Sequence, residues 1–186
     1  MENKQNIMRE IEIEKMILNC GGIGEKLDRS QKLLEMITKR KVSRTTSRKR
    51  IPGFGIAPGK EAGCKVTIRD SEEINKLLKR IFAAVVNKIN KKAVTNNHFS
   101  IGIHEYIEVP GMEYNRDIGI IGFEAAIVFK RKGKRIIYKK KGKIKYPKKQ
   151  DVTKDEIIEF LNKNFGVEVT EAKHDRKWLE KGIETI

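Results

Sequence analysis

The chain has 186 residues, enough for one domain with its own core, and 38% of them are hydrophobic with only 6% aromatic. With 41 lysines and arginines against 25 acids, the formal net charge is +16 and the pI is near 9.8, the footprint of a protein whose partner is a polyanion, nucleic acid first among them. No apolar run approaches the roughly 18 to 20 residues that span a bilayer, and the polar N-terminus lacks a signal-peptide core, so a soluble intracellular protein without membrane partners is expected.

Residues 10 to 14 alternate polar and apolar side chains and run on through Met16-Ile17-Leu18-Asn19, predicting a strand with one buried face, broken by glycines at 21, 22 and 24. After Asp28, Leu33, Leu34 and Ile37 fall at helical spacing. Residues 42 to 47 predict a short strand and about 63 to 69 its return. Between them, Arg44-Thr45-Thr46-Ser47-Arg48-Lys49-Arg50 gives way to glycines at 53, 55 and 59 stiffened by Pro52 and Pro58. This predicts a long loop that orders on contact. Its short polar side chains and guanidinium forks, with Lys65, Thr67 and Arg69 on the return strand, offer donors to phosphate and ribose. The plainer reading is a wide hairpin with solvated cations.

Residues 71 to about 90 carry an apolar stripe of Ile74, Leu77, Leu78, Ile81, Phe82, Val85, Val86 and Ile89, predicting a long helix, with Asp70 and Glu73 as its N-terminal cap. After a polar connection, residues 98 to 109 alternate, with Ile101, Ile103 and Ile107 on one face until Pro110-Gly111 turns the chain. Residues 118 to 130 predict a buried strand. Twelve of the twenty residues from 130 to 149 are lysine or arginine, a basic hairpin or arm expected to order against phosphates. Thr153-Lys154-Asp155-Glu156 is a capping box that opens a short helix bearing Ile157, Ile158, Leu161 and Phe165. Residues 170 to 186 form a C-terminal extension of unassigned role, beyond one domain spanning residues 1 to 169.

Catalytic constellations are missing from this pattern. The glycines after Asn19 do not make a dinucleotide or P-loop signature, and His98, His104 and His174 lack metal-ligand spacing. Cys20 and Cys64, each alone in its segment, give neither a zinc ligand pair nor a disulfide framework and are expected to fill the core. Glu105, Glu108, Glu113 and Asp117 read as solubilising acids, and no nucleophile stands beside a base. No catalytic residue, metal site or cofactor is predicted, and the chain is expected not to be an enzyme. The competing function is a free-standing basic RNA-binding factor or RNA-modifying enzyme, which would need a pocket holding a perturbed acid or base.

Several motifs stand in a specific order. They are Met8-Arg9-Glu10-Ile11, the strand ending at Asn19, Arg44-Thr45 leading to Phe54-Gly55-Ile56 and Gly59, and the run from Gly63 to Arg69. Phe99-Ser100-Ile101-Gly102-Ile103 follows, then Glu105, Ile107, Pro110-Gly111, Tyr114, Asp117-Ile118-Gly119-Ile120 with Gly122, Val152 to Glu156, and Phe165-Gly166-Val167-Glu168-Val169. Over about residues 7 to 169 the chain resembles the universal large-subunit ribosomal protein five family in its archaeal and eukaryotic form, which carries 5S ribosomal RNA.

The resemblance implies an α+β fold, mainly an antiparallel sheet with helices on one face and the opposite face and long loops toward RNA. It implies that Asn19, Thr45, Ser47, Lys65, Thr67 and Arg69 bear on 5S rRNA. The loop of about residues 50 to 62 would reach the P-site tRNA through Arg48, Lys49, Phe54 and Ile56. The implied partners also include large-subunit rRNA and neighbouring proteins of the central protuberance, and the implied location is the cytoplasmic ribosome. The glycine turn after Asn19 is about two residues shorter than the family's usual form. Ala57-Pro58 stands where the pattern commonly has two cations, and Glu61-Ala62 where it has proline and an aliphatic residue.

Overall fold

The computed structural model describes residues 6 to 138 and 147 to 170. The centre of the basic arm, 139 to 146, and the extension from 171 onward lie outside the described residues. Six strands form one sheet: β1 (Ile11–Gly21), β2 (Ser43–Thr46), β3 (Glu61–Ile68), β5 (Val94–Thr95), β6 (His98–Ile103) and β7 (Phe123–Arg131). Their spatial order is β2-β3-β1-β7-β6-β5, and every pairing is antiparallel. A second, parallel pair joins β4 (Lys88–Asn90) to β8 (Glu168–Thr170). With helices α1 (Glu25–Thr38), α2 (Ser71–Ala84) and α3 (Lys154–Phe165), the fold is α+β as expected.

Alternation decides which face of the sheet is buried. Met16, Leu18 and Cys20 of β1, Cys64, Val66 and Ile68 of β3, Ala125, Ile127 and Phe129 of β7, and Phe99, Ile101 and Ile103 of β6 all point into the core. Leu27, Leu33 and Leu34 of α1 and Ile74, Leu78, Ile81 and Phe82 of α2 close over them. Phe82, Phe99 and Phe129 stack in series at centroid distances of 6.2 and 5.7 Å, and Phe165 and Phe160 of α3 tilt against the two ends of that row. The helices therefore lie on one side, and the other face of the sheet carries no helix among the described residues. No helix among those residues is long and apolar enough to cross a membrane.

Four local expectations need correction. Helix α2 stops at Ala84, six residues early, because Val86 and Asn87 both take positive φ (53°) and redirect the chain into β4. Ile89 continues the apolar stripe in sequence but is buried as a strand residue opposite Val169. Asp70 does cap α2, accepting from the Glu72 N–H at 3.2 Å, whereas Glu73 is engaged by Arg40. Third, beyond β6 a 3-10 turn shifts the alternation by one, so Tyr106 is buried and Ile107 is exposed. Finally, strand β7 begins only at Phe123; Ile118 and Ile121 are buried from a loop. The capping box at Thr153 and Glu156 is formed, and α1 starts at Glu25, before Asp28.

Candidate nucleic-acid interface

The uncovered face is built from the alternate residues of the same strands. Asn19 of β1 is the Cα partner of Lys65 in β3 and of Glu124 in β7; Lys65 is in turn opposite Ser43, and Glu124 opposite Gly102. One row across the sheet therefore reads Ser43, Lys65, Asn19, Glu124, Gly102, and all five are exposed. The next row holds Thr67, Ile17, Ala126 and Ser100. On the other side of the first row, Thr45 stands opposite Gly63, where an added Cβ would meet the Thr45 hydroxyl at 3.1 Å and the Cys20 carbonyl at 3.2 Å. Thr45, Lys65, Asn19 and Thr67 are thus brought onto one surface, and Arg69, exposed one residue beyond β3, continues its alternation.

The cations of this face carry no carboxylate partner: Lys15, Lys65 and Arg69 make no ion pair among the described residues. Six cations elsewhere are paired: Arg131 with Glu156, Lys132 with Glu10 and Glu12, Lys134 with Glu14, Arg40 with Glu73, Arg29 with Glu25, and Arg44 with Asp28 and Glu61. Arg44, one of the guanidinium forks expected to face phosphate, belongs to this second group. It points to the helix side, where it donates to Gln31 at 2.7 Å, Glu61 at 2.8 Å and Asp28 at 2.7 Å. Hydrogen bonding to Glu61, ahead of the opposing cost of burial, raises its pKa further. An unpaired cation is free to take a phosphate; a paired one must first give up its carboxylate.

The glycine-rich loop is a folded extension of the β2–β3 hairpin. The Ser47 N–H donates to the Lys60 carbonyl and the Gly59 N–H to the Ser47 carbonyl, at 2.9 and 2.8 Å, closing its base. Ile51 and Ile56 exchange both backbone hydrogen bonds around a 3-10 turn at Pro52–Phe54, which Gly55 ends at φ 62°. The Ser47 hydroxyl donates to the Lys49 carbonyl at 2.7 Å, so among the predicted contact residues it serves the loop itself. Phe54 at the tip is 73% exposed, Ile56 is half-buried, and Arg48 and Lys49 are exposed without ion pairs among the described residues. An exposed aromatic ring flanked by free cations suits stacking beside a phosphate backbone.

Both cysteines are buried as expected, but they are neighbours: Cys20 and Cys64 are cross-strand partners, an adjacency hidden by 44 residues of separation. Both are free thiols, and the Cys20 thiol donates to the Gly122 carbonyl at 2.9 Å. No metal-binding group of histidines, cysteines and acids occurs among the described residues. Sequence reasoning missed Ser43, Lys15, Gly102 and Glu124; their phase relative to the buried residues was the available signal, and the register was not.

These features define a basic, one-faced α+β sheet protein. The chain belongs to the ribosomal protein L5 family: the pattern of ribosomal protein L5 matches residues 6–56, and that of the family's C-terminus matches residues 61–160. It is 38% identical over 173 residues to the large ribosomal subunit protein uL5 of Picrophilus torridus, covering 91% of this chain and 98% of that one. The uL5 protein of Nanoarchaeum equitans is 36% identical over 164 residues, covering 87% of this chain and 97% of its own. That of Methanosphaera stadtmanae is 35% identical over 167 residues, covering 88% and 99%. The family is one of ribosomal proteins and not of enzymes, in agreement with the sequence reading.

Proposed function

We propose that the chain is a structural component of the large ribosomal subunit that holds 5S rRNA on its uncovered sheet face and reaches the P-site tRNA with the loop of residues 47 to 60. Its relatives are named as large-subunit proteins, and membership of their family makes this chain a ribosomal protein of the cytoplasmic translation machinery. The observation that carries the finer reading is the convergence of the unpaired cations Lys15, Lys65 and Arg69 with Asn19, Thr45 and Thr67 on the one sheet face that no helix covers among the described residues. Phosphates supply affinity there, and the polar short side chains reach ribose and base edges. Large-subunit rRNA and the proteins of the central protuberance complete the proposed surroundings.

The test is a salt-resolved binding assay on 5S rRNA against a length-matched unrelated structured RNA. Strong preference for 5S rRNA with a steep loss of affinity at rising salt is the expected result. Equal binding to both RNAs would leave only a basic RNA-binding domain. Removing residues 53 to 59 is expected to preserve 5S binding and to weaken tRNA placement in reconstituted subunits; loss of 5S binding would move the loop to the assembly surface.

A further inference from the structure

We propose that Glu124 reads the Watson–Crick edge of an unpaired guanine on the uncovered sheet face, an inference that rests on the reading that this face receives 5S rRNA. A carboxylate is out of place on a phosphate-binding surface unless it has a task, because it repels the backbone that its neighbours attract. Glu124 is exposed in the middle of the row, between Asn19 and Gly102, and its carboxylate has no ion-pair or hydrogen-bond partner among the described residues. Lys65 stands two strands away, with Asn19 between them. The acid is therefore not there to neutralise a cation of its own chain.

The surroundings of Glu124 fit a flat ring. Gly102, directly opposite in β6, has nothing within 4 Å of the position its Cβ would occupy, and the next row places Ala126 and Ser100 beside it. These small residues form a shelf bordered by Ile17 on β1. A base lying on this shelf presents its edge to the Glu124 carboxylate. Two carboxylate oxygens accept two parallel hydrogen bonds, and guanine alone has two adjacent donors on its Watson–Crick edge, N1–H and the N2 amine. Cytosine and adenine each set one amine beside an acceptor nitrogen, and uracil flanks its one N–H with two carbonyls. The same carboxylate therefore attracts guanine and rejects the other three bases, while Asn19 adds a neutral donor and acceptor alongside. Lys65 and Arg69 bind any RNA; Glu124 makes the face selective.

The experiment is a kethoxal footprint of 5S rRNA, since kethoxal adds across N1 and N2 of unpaired guanine, with the full chain and its Glu124→Gln and Glu124→Asp variants, each checked for native circular dichroism. The expected result is one guanine protected by the wild type, reactive with Glu124→Gln and protected again, at least partly, with Glu124→Asp. Preference for 5S over the unrelated RNA should fall roughly tenfold in Glu124→Gln, while binding to the unrelated RNA holds or rises. Tighter binding of Glu124→Gln to both RNAs with an unchanged footprint would overturn the proposal and leave 5S binding standing. Equal binding of both RNAs by the wild type would overturn the reading beneath it as well.

Discussion

Arg131 grips Glu156 through both carboxylate oxygens, at 2.6 and 2.7 Å, and so ties the end of β7 to the first turn of α3. The same carboxylate accepts the Thr153 N–H at 3.0 Å, and the Arg131 Nε is buried without a partner among the described residues. Burial alone would raise the Glu156 pKa, but the Thr153 and Arg131 hydrogen bonds outweigh it and hold the carboxyl below its ordinary value. A lowered folded-state pKa contributes stability above the unfolded value that is lost as pH falls through the folded one.

Glu156→Gln is therefore expected to cost about 1 to 2 kcal/mol at neutral pH, after allowance for the partial exposure of the carboxylate. The gap between variant and wild type should close on acidification below the ordinary glutamate range. Urea unfolding at a series of pH values reads both; a gap that persists undiminished in acid would refute the assignment.

Burial, reinforced by the adjacent Cys20 thiol, pushes the Cys64 pKa from an ordinary 9.0 up to about 11. The unfolded chain releases this proton first, so the thiol's contribution is intact below about pH 9 and declines from there to about pH 11. Cys64→Ala should show a shallower loss of stability across that window than the wild type, and native protein should react with thiol reagents only as fast as it opens.

Lys65→Ala and Arg44→Ala are expected to separate binding from stability. The first should weaken RNA binding and lower the slope of log affinity against log salt by about one, with the unfolding midpoint unchanged. The second removes the anchor shared by Gln31, Asp28 and Glu61, so the midpoint should fall while the salt slope stays. Reversed outcomes would exchange the two faces.

At Gly122 an added Cβ would meet the Ile103 and His104 carbonyls at 2.4 and 2.5 Å, both backbone atoms of the adjoining segment. Gly122→Ala should force β6 and β7 apart at their entry and destabilise the fold by about 2 kcal/mol or more, measured by denaturant midpoint. Gly102→Ala, into open space, should cost much less.

The strand phases, the one-sided sheet and the capping box of α3 were legible because each depends on local alternation or spacing. The pairings were not. Nothing in the run of residues places Glu124 beside Asn19, or Cys20 beside Cys64, since both adjacencies follow from which strands neighbour β1. Arg44 was misjudged for a related reason: one step along an extended strand reverses the face, and its carboxylates come from α1 and β3. The end of α2 was hidden by apolar residues that serve a helix stripe and a strand equally well.

The first strand of the chain is also the central one, and its partner β7 is made more than a hundred residues later, as the contact from Cys20 to Gly122 measures. During synthesis β1 can pair with β3 early, yet the row through Asn19 stays half-built until β7 has left the ribosome that is making it. Closure over so long a separation is slow, and the unpaired edge of β1 invites wrong partners meanwhile. The surface proposed to recognise RNA thus comes into being only once β7 has been made.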